Sequence, residues 1–526
     1  MAVSEATTKG VQSVALNEGR YRTLVPLAVL LVGFLVIQTF LFIIHTVPTA
    51  RTESDGIFYL FTSTGPLFSY NRWWGPGFPW AIRLFNLLTQ SPFTSAKLIS
   101  LLSGILFIVC TYLVAMRIDG IRLALLTSIF IAFNPDTTTF SSTIMSDMLA
   151  ASLFMLSLTL IIVPDDIGPW HLLFAGLIAG GAYITRYAYA ILLAAPVLYL
   201  IMQKDWRKYI LGAGLFYIGF IVVASPWTIF VWMEKGSPFY NEDYVNLTEK
   251  FVAQFSTFSP PTRQFSGILD IITTYPVIFV ESMAKSLLQM PSDVLTSISS
   301  VGIIGALGAF LWTKDLDRRK AFFLIVNLLY LAILLLVLVQ PRYILPVTPL
   351  VCMFVATSII AIPDALHAVD FPAFLTRIIE RIPFKKVVIA GLFLFLAGFT
   401  IWEVGFYYSE MAPEYVTAGA QLKEIAPKDA LVIGWLQHIA YFANLNFHVI
   451  DPPDIQPDEL MTELQKSGAT YLIIDERYTT TFYPQFAPML DPNTNPYKDK
   501  LRPVITIDSP KKVVIYQYLG ISNPQS

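Results

Sequence analysis

The chain has 526 residues, 55% hydrophobic and only 14% charged, with a mean hydropathy of +0.60. Soluble domains carry about 25% charged residues, so the composition is that of a membrane protein, and a net charge of −2 supplies no basic field for nucleic acid. Only two cysteines occur, Cys110 and Cys352, both inside apolar runs, which excludes a disulfide framework and a cysteine metal site.

Residues 1–22 (MAVSEATTKGVQSVALNEGRYR) are polar and read as a cytoplasmic tail. The apolar run that follows lacks a small-residue cleavage site, so it reads as a retained first span. A spanning helix needs about 20 apolar residues. Clear candidates are 24–45, 95–116, 144–163, 209–233, 296–313, 320–339, 343–362 and 386–407, with shorter runs at 121–134, 169–184 and 187–203. The expected fold is therefore a polytopic α-helical membrane protein of about eleven spans over residues 23–407.

Loop charge fixes an expected orientation. With the N-terminus cytoplasmic, the inner loops carry Arg20 and Arg22, Arg117 and Arg122, Lys204, Arg207 and Lys208, Lys314 and Arg318 to Lys320, then Arg377, Arg381, Lys385 and Lys386. Only the 164–168 loop lacks a cation. This matches the positive-inside pattern. It leaves outer loops at 46–94 and 234–295 and an outer domain at 408–526. In that domain ALVIGW, ATYLIIDE and KVVIYQYL read as buried strands, and PDELMTELQKSG as a short helix with a Gly stop, giving a small α/β unit. His438 and His448 read as structural or surface residues of it. The triplet Asn246-Leu247-Thr248 on the outer side is a sequon of a kind that arises often by chance.

The charges near the outer face carry the functional reading. The first outer loop opens RTESDGIFYL, placing Arg51, Glu53 and Asp55 where the chain leaves the bilayer. Asp55 also fits a turn or an N-cap. Asp147, in FSSTIMSDMLAASLF, is the ionisable side chain set inside an apolar span, at a cost of about 2.5–3.5 kcal/mol on insertion scales. Its alternative is an N-cap role shared with Ser146. Arg51, Arg72, Arg83, Arg186 (ITRYAYA) and Arg342 (QPRYILPVTP) are cations on the face that ordinarily lacks them. Arg186 and Arg342 occupy very short outer connections and point to a shared vestibule. Guanidinium forks suit phosphate, so Arg342, Arg186 and Arg72 are candidate donor-phosphate ligands. Trp73, Trp74, Phe78 and Trp80 in YNRWWGPGFPWAIRLF suit a segment lying in the interface, or an ordinary aromatic belt.

Taken in order, SDGIFYL, WWGPGFP, FNPDTTTFSSTIMSDM, SPWTIFVWMEKGSPFYNEDYVNL and PRYILPVTP resemble the motifs of the GT-C glycosyltransferases that use polyprenyl-phosphate sugars. The nearest group is that of the protein O-mannosyltransferases and lipid A aminoarabinose transferases, and the similarity covers about residues 20–410. The resemblance implies a GT-C-like fold and inverting sugar transfer from a dolichyl- or undecaprenyl-phosphate donor. The acceptor would be a protein, glycan or glycolipid at the outer (or lumenal) face of a cell membrane. Asp55 would be the general base and Asp147 an orienting acid, with Glu53, Tyr59, Trp74, Pro76 and Tyr343 lining the substrate pocket. Two departures stand out. Gly56 follows Asp55 where the family often has an adjacent acidic pair, and Trp74 and Gly75 precede Pro76 where it often has Lys or His. No metal is called for; a divalent cation between Asp55 and Asp147 would be a thin site without further oxygen ligands. The alternatives are a lipid-carrier-binding protein without transferase activity and a secondary transporter. The latter predicts inverted repeats and polar groups at the bilayer centre; the sequence shows no defensible repeat.

Overall fold

The computed structural model describes residues 24–39, 54–69, 74–203, 205–238, 240, 268–296, 301–336, 341–367, 387, 390–391, 394–395, 397–402, 412–450, 455–481 and 483–520. Arg51, Glu53, Arg72, Trp73 and the sequon at Asn246 lie outside the described residues. The chain is mostly helical up to His367 and ends in a small α/β domain.

The helix Pro92–Ala132 has 41 residues, about 60 Å at 1.5 Å per residue and twice the hydrocarbon thickness of a bilayer. It is two helices. Asp119 and Gly120 leave the helical region, and Gly120 sits at φ 82°, where a side chain would be strained. The break falls between the apolar runs 95–116 and 121–134 and separates them into two helical pieces joined at a turn.

That turn belongs to a cluster of loops. Arg117 pairs with Asp165, which also lies 3.7 Å from Arg319; Lys320 meets Asp119 at 2.7 Å, Lys208 meets Asp166 at 2.8 Å, and Arg318 donates to Gln203 at 2.9 Å. These are the loops that charge assigns to the inner face. The 164–168 loop lacks a cation because its two aspartates receive the cations of its neighbours.

Among the described residues, by length and hydropathy together, three helices (Pro92–Ala132 counted whole) are sufficient to cross a membrane, or four if the pair Ile268–Thr274 and Pro276–Leu295, bent by 113°, is counted as one. Leu24–Thr39 (α1), Ser146–Ile162, Pro169–Thr185 and Arg318–Leu334 are apolar but shorter, and the 187–203 run is a 3₁₀ helix, Tyr187–Ala194, followed by Ala195–Ile201. Eleven crossings therefore do not follow from helix length.

Among the described residues the C-terminal domain holds five strands: β1 Leu431–Gly434, β2 Asn446–Val449, β3 Tyr471–Asp475, β4 Leu501–Ile507 and β5 Val513–Tyr518. Their order is β2-β1-β3-β5-β4, with β1 parallel to β2 and β3, and β5 antiparallel to β3 and β4. Helix Pro457–Ser467 carries a capping box through Glu459 and stops at Gly468, φ 69°. His448 pairs with Glu463 at 3.1 Å, while His438 is buried beside the Tyr415 ring.

Asp475 ends β3, almost fully buried. Its Oδ1 accepts from the Tyr415 hydroxyl at 3.0 Å and the Tyr478 N–H at 2.9 Å, with Glu414 and Arg477 nearby. Burial pushes this carboxyl up to about 6, against the lowering effect of those two hydrogen bonds. The folded form thus holds its proton more tightly than the unfolded chain. Its stabilising effect is present below about pH 4 and is lost as pH rises towards 6, at a cost of roughly 2–3 kcal/mol. Asp475→Asn keeps an oxygen for both donors. Thermal unfolding of variant and wild type should therefore coincide near pH 4 and diverge in favour of the variant by pH 6–7, and a constant difference across that window would refute the burial argument.

Candidate active site

Helix α2, Ser54–Thr64, begins with Asp55 in its first turn, and helix Ser146–Ile162 begins with Asp147 in its first turn. The positive end of a helix dipole favours an ionised acid at both places. Neither acid is an N-cap in the side-chain sense: Met145 occupies that position ahead of Asp147 and makes no side-chain cap bond. The cap reading of Ser146 also fails, because its hydroxyl turns to other partners.

Each acid instead meets an arginine from a distant segment. Arg342 Nη1 lies 3.1 Å from Asp55 Oδ2, across 287 residues of sequence, and Arg186 Nη2 lies 2.8 Å from Asp147 Oδ2. Arg186 follows helix Pro169–Thr185 in an extended conformation, and Arg342 sits in the single turn Pro341–Ile344. Both arginines lie against the Tyr343 ring, with guanidinium carbons 5.7 and 5.2 Å from its centroid, and Arg342 Nη2 reaches the Tyr343 hydroxyl at 3.4 Å. Tyr343 is held by its own carbonyl, which accepts from Tyr330 at 3.0 Å. Arg342 also interacts with Asp147 and Arg186, so the two pairs form one charge cluster.

Ser146 joins the cluster to α2. Its Oγ accepts from Arg186 Nε at 3.0 Å and lies 2.7 Å from the Tyr59 hydroxyl. Behind Tyr59 stand Trp74 and Phe78, with ring centroids at 4.8 and 5.1 Å. All three rings are buried, so Trp74 and Phe78 pack inside the protein and are not part of an interfacial belt. The reason lies in Gly75: a Cβ there would stand 2.0 Å from the Ile184 carbonyl oxygen. The Gly-Pro-Gly turn therefore presses on the backbone just before Arg186, and Pro76 opens helix Gly77–Thr89. Arg83, from that helix, donates to Ser63 and Gly65 carbonyls and caps the end of α2, which accounts for one outer cation structurally.

Arg342 Nε and Trp74 Nε1 are buried without a hydrogen-bond partner. The Arg342 Nε–H, part of the cluster, is thus a donor still free to meet an oxygen acceptor. The charged groups all lie at helix ends on the face opposite the inner loop cluster, not halfway along a helix as a transporter site would require. Among the described residues no group of three His, Cys, Asp or Glu side chains is placed to hold a metal. Sequence reasoning passed over Ser146 as a bridge, Tyr330, and Lys97, a buried lysine at the start of the second span, 5.1 Å from the Phe93 ring centroid. Lys97 was detectable as a cation within an apolar run; Tyr330, in an apolar run rich in leucine, carried no signal.

Residues 74–232, under a third of the chain, match the family model described as dolichyl-phosphate-mannose-protein mannosyltransferase. ArnT from Cupriavidus metallidurans in the apo state superposes with a TM-score of 0.54 and 15% identity, covering 89% of this chain and 92% of that one. The same protein bound to undecaprenyl phosphate covers 94% and 99%, at 14% identity and a TM-score of 0.54. The oligosaccharyltransferase AglB from Archaeoglobus fulgidus, in complex with an inhibitory peptide and a dolichol-phosphate, gives 0.54 at 13% identity over 88% of this chain and 70% of that one. No curated protein matches the sequence significantly. The chain therefore shares the fold of ArnT and AglB over most of its length.

Removing one partner of a buried ion pair typically costs about 3–5 kcal/mol, because the other charge is left uncompensated. Asp147→Asn and Arg186→Gln should each lower the melting temperature of the detergent-solubilised protein, and the double variant should lose less than the sum. Additive losses would show that the pair is not energetically coupled.

Proposed function

We propose that the chain is an inverting glycosyltransferase that moves a sugar from a polyprenyl-phosphate carrier to an acceptor at the outer face of the membrane. The observation that carries this reading is the Asp55–Arg342 pair beside Asp147–Arg186, with Arg342 Nε still unsatisfied. The GT-C fold, the mannosyltransferase family match and the polyprenyl phosphates bound to ArnT and AglB support it.

The proposed chemistry follows from the pairing. With no donor bound, Asp55 shares its carboxylate with Arg342. A donor phosphate competes for the same guanidinium, which offers a planar fork suited to it. Asp55 is then released to face the acceptor hydroxyl. The acceptor oxygen attacks the anomeric carbon, its proton passes to Asp55, and the bond from that carbon to the phosphate oxygen breaks. The electron pair leaves with the polyprenyl phosphate, whose growing charge Arg342 stabilises. Asp147, locked to Arg186 and through Ser146 to Tyr59, holds the frame. Tyr343 and Trp74 complete the proposed pocket. A divalent cation would have to displace one of the two arginine pairs to reach both acids, so we propose a metal-independent reaction. The acceptor is a protein, glycan or glycolipid, and the N-terminus faces the cytoplasm.

Asp55→Asn should abolish transfer of labelled sugar from a polyprenyl-phosphate donor while donor binding persists; activity near wild type would remove Asp55 from the base role. Arg342→Ala should weaken polyprenyl-phosphate binding about tenfold or more, the worth of one charge-assisted bond. Unchanged affinity in a direct titration would leave Arg342 as a structural partner of Asp55 only.

A further inference from the structure

The outer domain contains a second arrangement of functional type, away from the acid–arginine cluster. Strand β1 leads through helix His438–Ala443 to β2 on one side, and β2 leads through helix Pro457–Ser467 to β3 on the other. The connections diverge at the carboxyl ends of β1 and β3, which are parallel neighbours. In open α/β sheets such a switch point opens a crevice where ligands bind. The residues that follow these two strand ends are Trp435 to His438 and Glu476 to Thr479.

Polar side chains gather there and do not satisfy one another. Trp435 Nε1, Gln437 Nε2, Thr479 Oγ1 and Glu414 Oε2 are buried without a hydrogen-bond partner, and the four side chains are at most 7% exposed. They belong to one locality. Glu414 Oε1 pairs with Arg477, Tyr415 of the same helix bonds Asp475 at the end of β3, the Tyr415 ring lies 5.5 Å from His438, and Trp435 stacks on Tyr483 at 4.5 Å. A domain of this size ordinarily pairs its buried polar groups. Four unpaired ones at a switch point are a cost the fold alone does not explain.

We infer that this switch point is a binding site for a neutral, hydroxyl-rich ligand, a saccharide. The chemistry of the unpaired atoms selects the class. Two are N–H donors, one is a carboxylate acceptor and one is a hydroxyl that does both, which matches the alternating donors and acceptors of vicinal hydroxyls. Glu414 and Asp475 beside a single Arg477 disfavour an anion. The inference goes beyond the transferase reading and does not require it, since binding is measured without transfer.

The test uses full-length protein in detergent, titrated with free mannose, glucose and N-acetylglucosamine, with inorganic phosphate as a comparison. Saturable binding of at least one sugar is expected in the millimolar range, about tenfold weaker or worse in Thr479→Val and in Gln437→Leu. Both variants replace an unpaired buried polar group with an apolar one of similar shape, so without sugar they should melt at or above the wild-type temperature. That combination separates a ligand-facing group from a structural one. Absence of sugar binding, binding of phosphate alone, or sugar binding unchanged in both variants would overturn the inference. So would variants that are both destabilised, because the groups would then be serving the fold through bound water. Polyprenyl-phosphate binding is read separately, so failure of the transferase reading leaves this result intact.

Discussion

A charge at the edge of a hydrocarbon layer must have a partner, and the architecture of the site follows from that requirement. An isolated ionised group in such a place would neutralise itself or drag in water. Asp55 and Asp147 avoid this in the same way: each occupies the first turn of a helix and each takes an arginine from a distant segment. Once these two pairs are fixed, the ends of four helical segments are fixed relative to one another. The aromatic support then has a purpose. Tyr343 backs both guanidinium groups, and the Trp74–Tyr59–Phe78 stack keeps α2 where Asp55 can reach Arg342.

The opposite face is built on the same rule with a different outcome. There the carboxylates of Asp165 and Asp166 are largely exposed, at 89% and 74%, and surface pairs contribute about 0–1 kcal/mol. They organise the connections between helices and are screened by salt. In the acid–arginine cluster Asp147 is 4% exposed and its arginine 17%. Burial makes that pair strong and also expensive to assemble, and stability alone would be served as well by apolar side chains. Two desolvated pairs side by side are therefore a cost that stability alone does not require, whereas in the opposite cluster, among the described residues, only Lys320–Asp119 is comparably buried.

Much of this was legible in the sequence, and the limits have physical reasons. Apolar run length gives the membrane class, and Gly120 separates two runs that a helix-length criterion would join. Depth in the membrane singles out Asp147, and the positive-inside pattern singles out Arg186 and Arg342, because each breaks a local expectation. Their pairing was not legible. No local pattern links residues 287 apart, and the sequence offers Arg342 as a phosphate ligand or a snorkelling interfacial cation with no sign of its contact to Asp55. The aromatic residues misled for a related reason. Trp74 and Phe78 have the composition of an interfacial belt, but the close approach of Gly75 to Ile184 pulls them inside, and that approach depends on a backbone contact with no sequence signature. Ser146 was readable as a cap because caps are local, whereas its actual partners, Tyr59 and Arg186, come from other elements.

The C-terminal domain packs on α2 as well. An isolated helix of 11 residues is marginal in water, so α2 holds its shape only through what packs on it. On one side that is the Trp74–Phe78 layer; on another it is the outer domain, where Tyr441 and Phe442 join Phe58 and Phe61, the Phe61 and Tyr441 rings meeting edge to face at 5.4 Å. Tyr441 lies on helix His438–Ala443, whose first residue borders the unpaired polar groups at the switch point. Phe61 lies six residues beyond Asp55 on α2. A single short helix thus touches both the crevice of the outer domain and the element that carries the candidate base. The two regions are therefore joined by one helix and one aromatic contact.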